Sequence, residues 1–157
     1  MALKVFQGID EVKAALGQHL GFSDWLEVDQ DRIDLFADAT GDHQWIHVDP
    51  ERAATGPFGT TIAHGYLTLS LSNFFLPQVV EVQGVSMGVN YGVNKVRFPA
   101  PVAVGSQVRA GVELAAVEDI AGGIQTTMII TVQRRGDDGE PEAKPACVIE
   151  SLSRFLS

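Results

Sequence analysis

The stretch HGYLTLSLSNFFL, residues 64–76, decides the fold. It is long enough for a helix and apolar nearly all round, which predicts a buried helix rather than a superficial one. Pro77 lacks the amide hydrogen needed to continue it and is expected to end it. The C-terminal half of the chain reads as sheet. Residues 87–98 are rich in Val, Asn and Tyr, with Gly88 and Gly92 as points of bulge or close approach. Val108, Ala110, Val112, Leu114 and Ala116 alternate with mostly polar partners, and Ile124, Thr126, Met128, Ile130 and Val132 do the same. A period of two marks half-buried strands. Residues 134–144 form a polar turn, and residues 147–155 return as a final strand.

Upstream of the apolar helix the signals are helical. Residues 9–16 read as a short helix with Val12, Ala15 and Leu16 on one side, and residues 25–28 as a strand. Residues 29–39 read as a helix capped by Asp29, striped by Ile33, Phe36 and Ala37, and stopped by Gly41. Residues 50–54 suggest one turn with Pro50 at its first position. Helices first and strands after give an α+β fold, an antiparallel sheet wrapped round one buried helix. No repeat or linker divides the 157 residues, so residues 1–157 are expected to form a single domain.

The composition narrows the function classes. The formal net charge is -9, a surface that repels nucleic acid and anionic lipid. No apolar run reaches membrane-spanning length, and the charged N-terminal segment does not resemble a signal peptide. One cysteine, Cys147, excludes an intrachain disulfide and fits a cytoplasmic location. None of the four histidines has HExxH spacing, so no metal is expected.

The chemistry is carried by FADATGDHQWIHVDPERAA, residues 36–54. Its Phe36, Thr40, Gly41, Asp42, Ile46, His47 and Ala53 resemble the signature of the MaoC-like dehydratases, in the branch that includes nodulation protein N. FGTTIAHGYLTLSLSNFF resembles that family's His-Gly start of the central helix. MGVNYGVNKVRFPAPVAVGSQV resembles its long strand and Phe-x-x-Pro-Val turn. One departure stands out: Gln44 and Trp45 occupy the place of a common Asn-Pro, where proline would stiffen the loop and Trp45 can do so by burial instead.

The resemblance implies a hot dog fold, a homodimer and syn addition of water to a trans-2-enoyl thioester, giving an (R)-3-hydroxyacyl product, with the reverse dehydration. It implies Asp42 and His47 as the catalytic pair. Near neutral pH an imidazole can act as base, and a carboxylic acid can donate if burial keeps it protonated. Phe36, Trp45 and Ile46 are the residues expected to bury Asp42. His47 is therefore expected to activate water and Asp42 to deliver the proton, with roles exchanged in dehydration; the alternative scheme has both acting jointly on one water, and the sequence does not separate the two. Gly65 opens the helix, and its N–H suits a thioester carbonyl that becomes enolate-like. Family spacing implies that Asn73, rather than Ser72, orients the acid. It also implies a thioester slot between Ile62, Ala63, His64 and Gly65 on one side and Gly88, Val89, Asn90 and Tyr91 on the other.

Each assignment has a plainer rival. Asp42 can simply cap the turn after Gly41, and His47 can be a satisfied, partly buried histidine. His64 can touch substrate or only brace the helix start. Lys95 and Arg97 share a strand face and either solubilise it or meet coenzyme phosphates. The expected ligand is an acyl thioester, with coenzyme A as part of the substrate and no resident cofactor. The rival functions are a hot dog thioesterase and a non-catalytic acyl-thioester-binding subunit.

Overall fold

The computed structural model describes residues 2–157. From the N-terminus run β1 (Lys4–Phe6), α1 (Ile9–Ala14), β2 (His19–Phe22), β3 (Leu26–Glu27) and α2 (Gln30–Thr40). Two short helices, α3 (Trp45–Val48) and α4 (Pro50–Ala54), precede the central pair α5 (Gly65–Ser70) and α6 (Ser72–Val79). After β4 (Val80–Val82) come the long strands β5 (Met87–Arg97), β6 (Gln107–Ile120), β7 (Gly123–Arg134) and β8 (Cys147–Leu156).

The local signals act as their chemistry requires. Asp29 Oδ1 accepts the N–H of Arg32 at 2.9 Å, which caps α2. Such a cap stabilises a helix by about 1 kcal/mol. Asp49 does the same for α4 through the N–H of Arg52 at 3.1 Å, with Pro50 at the first position. Gly41 closes α2 in the left-handed region at φ 81°, where a side chain would be strained.

All ladders of the main sheet are antiparallel, in the order β2-β6-β7-β8-β5, with β3 also on the β6 edge. One face is the core. Val108, Ala110, Val112 and Leu114 from β6 meet Ile124, Thr126, Met128, Ile130 and Val132 from β7, and all nine are buried. A register shift between Leu114 and Ala116 ends the alternation, and Ala116 is only half-buried. Cys147 lies in the same core, where burial pushes its thiol up to about 11, so it is unreactive packing. The sheet curls round α5 and α6 in the hot dog arrangement.

The central helix differs from its expected form in two ways. It does not stop at Pro77. It is interrupted at Leu71 and runs on as α6 to Val79, with Pro77 inside it. Proline is tolerated there because it lies near the helix end on an exposed face, where the Asn73 carbonyl it leaves unbonded can turn to solvent. Nor is the helix buried all round. Leu67, Leu71, Phe75 and Val79 recur every four residues and face the sheet, while Tyr66 is 69% and Phe74 51% exposed. The apolar composition therefore describes two faces, of which the chain's own sheet covers one.

Two pairings have no strong sequence signal. β1 and β4 form a separate parallel two-stranded sheet, and β2 adds to β6. Leu16, expected inward with Val12 and Ala15, is 53% exposed because α1 ends at Ala14.

Candidate active site

The turn after α2 brings the reactive groups together because Gly41 stops the helix and turns the chain. Asp42 follows, and its Oδ1 accepts the N–H of Gln44 at 3.3 Å, which shapes the lead into α3. Trp45 opens α3 and is held from outside. Arg52 lies 4.4 Å from its ring centroid, and a Cβ on Gly56 would come within 2.8 Å of the ring. Trp45 thus immobilises the loop by packing, where proline would have done so through its ring.

His47, one turn into α3, is buried. Its Nδ1–H donates to the carbonyl of Ile62 at 2.7 Å. A carbonyl only accepts, so Nδ1 carries the proton and Nε2 is the basic nitrogen. Burial holds the His47 imidazole below its usual 6.5. The Ile62 carbonyl and Asp42 pull the other way, and the neighbouring His64 ring adds to the lowering. A second tie fixes α3 itself. Gln30 Nε2 donates to the His47 carbonyl and to Asp34 Oδ1, both at 2.8 Å, and Thr61 Oγ1 donates to Gln30 Oε1 at 2.6 Å. No local pattern marks Gln30 for this role, because two of its three partners lie far away in the chain.

His64 is the N-cap of α5 and is 3% exposed. Its Nε2–H donates to the Asp42 carbonyl at 2.9 Å. Its ring stacks on His47 at 3.9 Å and 23°, with Phe36 at 4.9 Å. Its Nδ1 is buried without a hydrogen-bond partner. An unsatisfied buried acceptor of this kind costs about 1–3 kcal/mol.

These groups open on a hollow of about 600 Å³ lined by Phe36, Thr40, Asp42, His47, His64, Gly65, Tyr66 and Phe98. Asp42, His47 and His64 offer ligand-type atoms within 4.8 Å of one another. They do not fit a metal well. The planes of the two stacked rings lie only 23° apart, so lone pairs within those planes do not converge on one point between them. The Asp42 side chain stays 52% exposed. The expectation that Phe36, Trp45 and Ile46 bury it does not hold, since Trp45 packs outward on α4.

The expected slot residues divide into two groups. Ile62, Ala63 and Gly65 line an adjoining hollow with Phe58, Phe98 and Val102. A Cβ on Gly65 would lie 3.2 Å from the Phe98 ring, so glycine lets that ring close over the helix start. Gly65 is not in the left-handed region. Gly88, Val89 and Asn90 are elsewhere. They line a hollow of about 310 Å³ with Asn73, Leu76, Pro77, Met128 and Phe155, near the far end of α6. Asn73 follows Gly65 by eight residues, about 12 Å along a helix. The chain therefore does not bring its own Asn73 to Asp42, and Ser72, the other candidate, is buried. Tyr91 is 55% exposed, with the Arg154 guanidinium 3.5 Å from its ring centroid. Phe98 and Tyr66 are lining residues that sequence reasoning missed. The Phe-x-x-Pro-Val motif marked Phe98 but offered no reason to send it to the helix start.

The remaining histidines are outside. His19 accepts the N–H of Gly21 at 3.2 Å, and His43 pairs with Asp38 at 2.9 Å. The Asp38 hydrogen bond raises the His43 pKa, opposite to the buried His47.

Known proteins agree with this architecture. A family profile described as "MaoC like domain" matches residues 11–134. The chain is 53% identical over 156 residues to a "3-hydroxyacyl-thioester dehydratase Z" of Mycobacterium tuberculosis, covering 99% of this chain and 100% of the relative. It is 50% identical over 138 residues to a "Nodulation protein N" of Rhizobium leguminosarum bv. viciae, covering 87% and 83%. The solved structure of the (R)-hydratase from A. caviae, described as involved in PHA biosynthesis, superposes with a TM-score of 0.70 at 26% identity, covering 88% of this chain and 94% of that one.

Proposed function

The chain belongs to the MaoC-like domain family, and from that premise we propose that it is a hydro-lyase interconverting 3-hydroxyacyl and 2-enoyl thioesters through Asp42 and His47. The observation that carries this reading is the state of His47. Its Nδ1–H is committed to the Ile62 carbonyl, so Nε2 stands bare in the hollow that also holds Asp42 and Gly65. Burial keeps that nitrogen unprotonated near neutral pH. In hydration, His47 Nε2 takes a proton from water, the oxygen bonds to Cβ, and Asp42, once bound substrate covers its half-exposed carboxyl and keeps it protonated, delivers a proton to Cα; the proton on His47 then returns to Asp42 through water. In dehydration the proton leaves Cα for Asp42, and His47 protonates the departing hydroxyl. The thioester oxygen gains negative charge between these steps. The first-turn N–H of Gly65 has no acceptor within its helix and suits that oxygen.

The finer reading is (R)-specific hydration of trans-2-enoyl-CoA, with coenzyme A as part of the substrate and no resident cofactor. The likeness to an (R)-hydratase supports it. A homodimer completes the site. β5 is a sheet edge with Met87, Val89, Tyr91 and Val93 each at least 38% exposed. Such an edge invites strand pairing. A second copy paired there in antiparallel brings its own Asn73, Gly88, Val89 and Asn90 toward the Asp42–His47 hollow, which one chain leaves half open. Among the described residues no helix is long and apolar enough to cross a membrane, and the acidic chain disfavours nucleic acid as a partner.

The test is hydration of crotonyl-CoA, followed as loss of enoyl absorbance, with chiral analysis of the product. The expected product is (3R)-3-hydroxybutyryl-CoA. The (3S) product rejects the stereochemistry, release of free coenzyme A makes the protein a thioesterase, and binding without turnover makes it a non-catalytic subunit.

A further inference from the structure

His64 touches both members of the reacting pair through different atoms. Nε2–H holds the Asp42 backbone at 2.9 Å, and the ring face lies 3.9 Å from that of His47. We propose that His64 is a positioning residue, a single side chain that fixes the Asp42 turn and the His47 ring relative to each other. The inference rests on the dehydratase reading.

Nδ1 is buried without a hydrogen-bond partner, and Nε2–H makes the hydrogen bond that holds the ring. The other contacts are between ring faces. α2 presents Phe36 at 4.9 Å, α3 presents His47 at 3.9 Å, and α5 contributes Tyr66 to the same hollow. Of the charged groups, the Asp42 carboxylate comes within 4.0 Å of Nε2, and beyond it lies the exposed His43–Asp38 pair. One rigid side chain then sets the geometry between acid and base, a spacing to which catalysis is sensitive at the ångström scale.

Two substitutions separate the tie from the ring. His64→Phe keeps a ring between Phe36 and His47 and deletes the donor. His64→Gln keeps an N–H donor near the Nε2 position and deletes the ring. The expected result for His64→Phe is a kcat lower by roughly 10- to 100-fold with KM within about threefold. His64→Gln should keep kcat within about tenfold of the parent. Its acidic limb of kcat/KM should move to higher pH, because the ring that pushes His47 down is gone. Nitrogen-15 NMR of the histidines in the unmodified protein should show a hydrogen-bonded, slowly exchanging proton on His64 Nε2. A parental kcat in His64→Phe overturns the proposal. So do equal losses in both variants with an unmoved pH limb, or a His64 without that protected Nε2 proton. If the unmodified protein turns over no enoyl thioester, the dehydratase reading fails, and the NMR experiment still decides whether His64 is the tie to the Asp42 turn.

Discussion

At the N-terminal end of the α5–α6 pair, the side chains of His47 and His64 are each fixed by a hydrogen bond to a distant carbonyl, and the ring of one lies on the ring of the other. At the other end, Asn73, Leu76 and Pro77 face Gly88, Val89 and Asn90 across a hollow with largely apolar walls. The first end is preorganised within one chain. The second is shape and apolar surface beside an exposed sheet edge. Reacting groups need fixed distances, and short hydrogen bonds supply them. An acyl chain needs only room and dryness, and a second copy can provide both.

The largest expected effect is at the first end. Asp42→Ala or His47→Ala should lower turnover by roughly 10²–10⁴-fold. The double variant should lose little more than the worse single one, because the two groups act as a unit. Asp42→Asn is the sharper probe, since the amide keeps the shape and cannot release a proton. Full activity in any of these would remove the pair from the mechanism.

Next is Gly65. Gly65→Pro deletes the N–H assigned to the thioester oxygen and should lower kcat by roughly 10²–10³-fold. Gly65→Ala is the control, because it crowds Phe98 in the same way and keeps the N–H. If both variants fall equally, crowding of the Phe98 ring explains the loss, and the N–H is not the donor.

The division of labour between the two ends also predicts complementation. Light scattering should give a mass near twice 16.9 kDa. Val93→Asp, a charge on the β5 edge, should shift the protein toward monomer and reduce activity. Asn73→Ala should lower activity more modestly. Mixing Asp42→Ala with Asn73→Ala should then restore part of the loss, since a mixed dimer contains one site with both groups intact. No gain on mixing would place Asn73 outside the site.

The smallest effect is on stability. The His47 pKa is depressed by folding, so the unfolded chain binds more protons below the ordinary value of 6.5. Stability is then fully present above that value and is lost as pH falls through the lower folded value. Thermal melts between about pH 7 and 5.5 should decline in the parent and less so in His47→Gln. An identical decline in both would mean that His47 is not buried neutral.

Much of this is legible in the sequence because the signals are local. Asp29, Gly41, Asp49 and Pro50 act within one turn of themselves, and the period of two in residues 124–132 needs only the strand's own pleat. The glycine stop before Asp42 and the His-Gly at the helix start mark the candidate site in the same way. Other features depend on residues far apart in the chain. Gln30 reaches His47 only because α2 packs beside α3, and the β1–β4 pairing joins residues more than seventy positions apart. Pro77 departs from its expected role because its effect depends on which face of the helix is wet.

The sequence by itself determined the α+β order, the antiparallel strands, the family and the candidate reactive side chains, since local patterning and short motifs carry these. Tertiary structure alone decided the rest. It protonated His47 on Nδ1 by offering the Ile62 carbonyl, stacked His64 on His47, and left Asp42 half exposed. It also put Asn73 and Gly88 at the opposite end of the helix from Gly65. Each of these is a distance between groups remote in sequence, and such distances come from how elements pack and not from what any one segment prefers.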